Sequence, residues 1–172
     1  MAASILFVIL LTTKNRDYVV RSRRAVIDKS DDTQMDDRVA ANLFQPLVES
    51  AIPIDVQLGA VTKSRKNKWL VPVTVRIPIS ALTPLEQDGV AAGSFSVFVR
   101  TGGNFGVISD AHHKKQSYTI PLAELEKARG ADFKYDVTVE FDRLTSAVSV
   151  GVRDDVSKEY GLARKELRGS NE

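Results

Sequence analysis

The sequence predicts a mainly β fold: an antiparallel β-sandwich of immunoglobulin or fibronectin type III kind, with one or two short helices. Three observations point there. From position 54 onward apolar and polar residues alternate at period two, the pattern of strands with one buried and one wet face. Turn residues interrupt the alternation often enough for about seven or eight strands. One-sided alternation also argues against a parallel α/β sheet, whose strands are apolar on both faces.

The first segment, Ile5 to Leu11, is wholly apolar. It is shorter than the roughly 20 apolar residues that a membrane helix takes. Its basic residues (Lys14, Arg16) follow the apolar run, whereas an export signal places them before it. It reads as a strand. Asp17 to Ile27 reads as a second strand, with Tyr18, Val20 and Val26 on one parity and Arg21 and Arg23 on the other. Asp28 to Asp37 is acidic and aperiodic, and reads as a linker. An amphipathic helix is expected from near Asp36, with Val39, Leu43 and Phe44 at helical spacing and Pro46 to end it. The expected organisation is an arm over 1–35, a sandwich domain over 36–168 and a polar tail over 169–172.

Within the domain, Ile54, Val56 and Leu58 begin the alternation, and a polar turn from Lys63 to Lys68 makes a hairpin with the next strand. There Trp69, Val71, Val73, Val75, Ile77 and Ile79 share one parity, while Pro72 and Pro78 lack ladder donors and place the strand at a sheet edge. Phe95, Val97 and Val99 form another strand. A turn from Gly102 to Gly106 closes it, its glycines supplying positive φ, with Phe105 and Val107 opening the partner. Tyr118 and Ile120 mark a short strand. Leu122, Leu125 and Ala128 line a helical turn or two, with Gly130 at the left-handed cap. Phe133 to Phe141 alternates without a break, Val148, Val150 and Val152 continue after a turn, and Tyr160 to Leu167 closes the domain.

The last third has a familiar spelling. Val150 to Val156, Glu159 to Arg164, His113 to Lys115 before Tyr118, and the strand Phe133 to Phe141 together resemble the C-terminal β-sandwich region of bacterial, acidobacterial-type von Willebrand factor A-related proteins. Tyr18 to Arg24 resembles the basic strand by which that family leaves its A domain. The resemblance covers roughly residues 16 to 168, without the A domain, so the chain reads as a fragment or shortened paralogue. It implies a structural or interaction role and an extracytoplasmic, cell-envelope location, and it carries no catalytic residue over.

Composition narrows the chemistry. The 172 residues hold 24 Lys and Arg against 22 Asp and Glu, a net charge of +2 that is too small to argue a nucleic-acid partner. Without cysteine there is no disulfide, thiolate nucleophile or thiolate-bound zinc. His112 and His113 are neighbours, so on a strand they face opposite ways and do not chelate one metal; they read as a polar connection between strands. Asp28, Asp32 and Asp36 fit no calcium loop, because Thr33 stands where an EF-hand needs Gly and Val39 where it needs Glu. Gly102 to Gly106 lacks the Lys and Ser/Thr of a phosphate loop. Asp154, Asp155 and Glu159 read as a charged hairpin tip. The expectation is therefore no enzyme, no metal or cofactor residues and no small-molecule substrate.

Two interaction readings follow. In the first, Ile5, Phe7 and Ile9 form an apolar strand that adds to a neighbouring sheet, making a structural or protein-interaction module that self-associates. In the alternative, the basic clusters Arg21 to Arg24 and Lys63 to Lys68, with Arg21, Arg23, Lys66 and Lys68 foremost, bind nucleic acid or lipid headgroups. Trp69 beside the second cluster has core parity, which leaves that reading without a platform for stacking bases.

Overall fold

The structure, a computed structural model, describes residues 29–47, 50–64, 68–103, 106–141 and 145–167. The elements run α1 (Asp31–Phe44), β1 (Asp55–Leu58), β2 (Thr62–Lys63), β3 (Trp69–Pro78), β4 (Leu85–Gln87), β5 (Val90–Gly103), β6 (His112–Pro121), α2 (Leu122–Ala128), β7 (Asp132–Phe141), β8 (Thr145–Asp154) and β9 (Tyr160–Glu166), with a 3-10 turn at Ile79–Ala81. The strands form two antiparallel sheets. In the first, β3 pairs with β7 along its whole length on one side and with β1 and β2 on the other. In the second, β5 pairs with β6 on one side and with β4 and β8 on the other, and β9 lies outside β8. The sheets share one core, Val71, Val73, Val75 and Ile77 from β3 meeting Phe95, Val97, Val99, Val148, Val150 and Val152 from β5 and β8.

β3 is a central strand, which corrects the edge position inferred from its prolines. Pro72 accepts a backbone bond from Gly59 through its carbonyl, so its ring nitrogen also faces the side of β1 and β2. That ladder is interrupted there, between Leu58 and Thr62. Pro78 has the same parity and lies beyond the last β1 pair, Asp55 with Arg76. Neither missing N–H breaks a ladder.

The acidic run read as a linker is, from Asp31 on, the first turns of α1. The Ser30 hydroxyl accepts from the Thr33 N–H, and Asp31 and Asp32 sit in the first turn, where the helix dipole favours them. The helix starts five residues before the expected Asp36, because its inward stripe mixes apolar Met35 and Val39 with acidic Asp32 and Asp36. Phe44, expected on the buried face, is exposed. Met35 and Val39 pack on Phe98 of β5, with Tyr160 and Leu162 alongside, so the helix covers the outer face of the second sheet. β8 is consequently buried on both faces from Ala147 to Asp154, against the expectation that every strand shows water one face. Gly151 has no side chain to hold the helix off: a Cβ there would lie 2.5 Å from Val39 Cγ2.

Other corrections are local. His112 and His113 open the ten-residue strand β6 and do not form a connection. Of the turn glycines Gly102 to Gly106, the described residue with positive φ is Gly106 (φ 75°). Gly102 instead permits close approach of Leu43, whose Cδ1 would be 2.8 Å from a Cβ. Phe105 lies outside the described residues, and Val107 and Ile108 contribute one isolated bridge from Ile108 to Gly102. Gly130 is not left-handed; Arg129 caps α2 in the right-handed region. Asp88 and Gly89, both at positive φ, form the tight turn between β4 and β5, and Asp-Gly is a strong hairpin signal that the strand reading passed over.

Tyr118 supplies a test of the core. Its ring packs against Phe95 and Phe133, and its hydroxyl is buried over Gly93 with no hydrogen-bond partner in the protein. Burial, with the Asp154 charge adding to it, pushes the phenol from 10.0 up to about 12. A folded-state pKa above the unfolded value gives stability that is complete below pH 10 and is lost as pH rises towards 12. Tyr118→Phe is expected to change stability at pH 7 by less than about 1 kcal/mol. It should also reduce the loss of stability between pH 7 and pH 11, as urea unfolding at the two would measure, with the part due to Tyr135, which burial also pushes up, remaining.

Candidate functional site

Of the residues singled out for interaction, Ile5, Phe7, Ile9, Arg21, Arg23 and Lys66 lie outside the described residues. Lys68 lies just before β3, and its ammonium sits 2.5 Å from a carboxylate oxygen of Glu140 on β7. Asp28 is also outside. Asp32 and Asp36 lie one turn apart on the inner side of α1, and each binds an arginine of the sheet below. Asp36 takes a two-pronged bond from Arg100 on β5, at 2.7 and 2.5 Å, and that bond raises the guanidinium pKa further.

The second arginine is the hub of a buried charge cluster. Arg153 on β8 donates to Asp32 at 2.6 Å and to Asp155 at 2.9 Å, and both Arg153 and Asp155 side chains are only 9% exposed. Its remaining nitrogens have no partner in the protein and lie by the ring of Phe98, 5.8 Å from the guanidinium carbon to the centroid. Burial pushes Asp155 up, but bonds from Arg153, Ser94, Ser96 and Lys115 outweigh it and hold the carboxyl below its usual range. Asp154, fully buried, accepts from the backbone N–H of Thr83 at 2.6 Å and of Val156 at 2.8 Å. The expected hairpin tip at Asp154 and Asp155 is thus an internal anchor. Two causes act: α1 covers the face that carries Arg153, whereas Asp154 shares the parity of core-facing Val148, Val150 and Val152 and is closed off by the loop at Thr83.

A second feature opens where β6 and β7, each an edge strand of its sheet among the described residues, run side by side. A cleft of about 420 Å³ lies at the end of this seam where β6 begins, lined by Val99, Val137 and Val139 and by the polar Lys68, Thr101, Ser109, Asp110, His112, Thr138 and Glu140. His112 exchanges a 2.8 Å hydrogen bond with the Tyr135 hydroxyl across the gap. His113 faces the other way and stacks on Phe98, with centroids 4.2 Å apart and planes at 8°. The opposed directions expected of the two histidines are therefore present, on a strand. No group of three or more metal-ligating side chains forms among the described residues. No helix among them is long and apolar enough to cross a membrane.

Sequence reasoning passed over Arg100, Arg153 and Tyr135. No local pattern marks their long-range contacts, since Arg100 meets Asp36, Arg153 meets Asp32 and Tyr135 meets His112 across 64, 121 and 23 positions. Large apolar side chains also remain exposed: Phe44, Leu47, Val107 and Ile108 around the end of α1 and the loop after β5, and Leu85 and Leu122 on β4 and α2.

No protein-family model matches the chain, and no curated protein sequence does. Among solved structures, the X-ray structure of a Northeast Structural Genomics Consortium target, SoR45, is similar at 15% identity and a TM-score of 0.39, over 70% of this chain and 87% of that one. The chain is also similar to part of a Bifidobacterium adolescentis GH3 beta-glucosidase, at 16% identity and a TM-score of 0.26, over 70% of this chain but 18% of the enzyme. A beta-glucosidase from Listeria innocua in complex with isofagomine is similar at 12% identity and a TM-score of 0.26, over 69% of this chain and 16% of the enzyme.

Proposed function

We propose that this chain is a non-enzymatic structural or protein-interaction module, an immunoglobulin-like β-sandwich that self-associates through the apolar strand Ile5 to Leu11. One observation carries the non-enzymatic part: the buried ionisable groups serve the fold. Arg100 and Arg153 fasten α1 through Asp36 and Asp32, Asp155 braces Arg153, and Asp154 ties the loops around Thr83 and Val156. Groups so engaged support a structural reading, because their hydrogen bonds join elements of the fold to one another. The C-terminal region of von Willebrand factor A-related proteins is the kinship we propose for the module, with the cell envelope as its setting. The anion-binding alternative gains no support from Lys68, which Glu140 engages.

Size-exclusion chromatography with light scattering on the full chain tests the self-association. The wild type is expected to run as a dimer or larger, and the triple variant Ile5→Asp, Phe7→Asp, Ile9→Asp as a monomer with unchanged thermal unfolding. A monomeric wild type, or a variant that associates as the wild type does, sinks the reading.

A further inference from the structure

The proposed arm needs a receiving surface, and the fold offers one. In β5 the Ser94 carbonyl accepts from Asp155 on the β8 side, and the Thr101 carbonyl accepts from Ser109 on the opposite side. The backbone groups of odd-numbered β5 residues therefore face β6, and Phe95 with Gln116 and Val97 with Lys114 are bonded pairs. The alternate β6 residues, His113, Lys115, Ser117 and Thr119, direct their N–H and C=O groups away from the sheet. No strand pairs with that side among the described residues. The residues from His112 to Ser117 are all exposed. The cleft described above meets this edge at its first residue, His112.

We propose, resting on the self-association reading above, that the Ile5 to Leu11 segment of a second copy adds to this free edge of β6, with the Ile5, Phe7 and Ile9 parity turned towards β7. Charge selects the occupant. Pairing of β6 with β6 of another copy, centred on Lys115, would bring the Lys114 and Lys115 pairs of the two chains together, the arrangement that edge lysines prevent. Ile5 to Leu11 carries no charge and meets no such repulsion. Extended, its seven residues span about 24 Å, within the ten-residue length of β6. The route is also open. Asp31 and Asp32, in the first turn of α1, pair with Lys158 and Arg153, so the chain enters the helix over the end of β8, and Asp155 links that end to Lys115 of β6. The residues between Leu11 and α1 then reach up to about 60 Å, enough for a neighbour's edge.

The absence of native cysteine makes the test specific. Full-length Phe7→Cys chain mixed with full-length Lys114→Cys chain under mild oxidation is expected to give a disulfide-linked heterodimer. Mixing with Lys165→Cys, on the opposite edge strand β9, should give none. Ser117→Pro removes one outward N–H without touching the β5 ladder, and is expected to weaken self-association by about tenfold with thermal unfolding retained. Equal linking of the Phe7→Cys chain to both edges, or Ser117→Pro that associates as the wild type does, overturns the assignment. So does an intrachain disulfide in a monomeric Phe7→Cys, Lys114→Cys double variant. If the triple aspartate variant is monomeric while Ser117→Pro is not, the arm stands and the β6 edge falls; if the aspartates change nothing, the reading beneath both fails.

Discussion

Gly161→Ala is expected to lower stability by about 3 kcal/mol, a fall in Tm of roughly 6–12 °C for a chain of this size. A Cβ at Gly161 would lie 2.1 Å from the carbonyl oxygen of Ile52 and 3.1 Å from its carbonyl carbon. The obstacle is backbone, which has no rotamer to escape into. Ala51 and Ile52 both donate their N–H groups to the Tyr160 carbonyl, at 2.9 and 3.1 Å, and Ile52 is fully buried in the shared core. A methyl on β9 must push this segment off the strand, losing those bonds and lifting Ile52 from between the sheets. Gly130→Ala is the control: its Cβ would meet nothing nearer than the Lys127 carbonyl oxygen at 3.6 Å, an ordinary contact. Thermal unfolding of the two variants should separate clearly; equal midpoints would contradict the packing of residues 50–52 on β9.

Arg153→Ala should cost about as much, roughly 3 kcal/mol at pH 7, because breaking a buried pair strands its partner. Asp155 would keep Ser94 and Ser96 as donors, at 3.0 Å each, and Lys115 at 3.3 Å, but lose its buried counter-charge. Asp32 would lose its hold on the sheet, so hydrogen exchange in the first turns of α1 should quicken more than in β3. The pH dependence separates this cluster from simple packing. The Asp155 carboxyl is held below its unfolded value of 3.8, so the pair's stabilisation is complete above that pH and is lost as pH falls through the lower, folded value. Wild-type unfolding followed from pH 5 to pH 2 should therefore show a steeper acid loss than Asp155→Asn, in which only other lowered carboxyls such as Asp31 and Asp136 contribute. An Asp155→Asn curve parallel to the wild type would remove the carboxylate from the account.

The strand content was legible from the residues because a sheet with one wet face writes its burial as alternation. The run from Phe133 to Phe141 lies in β7, with its alternate positions turned inward. Trp69 to Ile77 follows the same rule, each valine of that parity fully buried. Legibility failed wherever a third layer intervened. α1 hid in an acidic stretch because two of its inward positions are carboxylates whose arginine partners come from β5 and β8. β8 is buried on both faces because that helix covers it, and Gly151, Ser149 and Arg153 read as solvent positions until it does.

The sequence by itself determined which residues alternate, hence the strands and the two-sheet, antiparallel class, and it named Ile5, Phe7 and Ile9 as an unusually apolar uncharged segment. Only the tertiary structure decided that β3 is central, that β6 presents an edge unpaired among the described residues, and that the charges at the end of β8 face inward. Alternation is a local property, set by the two-residue repeat of the extended backbone. Which edge stays unpaired, and which charge meets its counter-charge, depends on residues as much as 121 positions apart being brought together by the shared core.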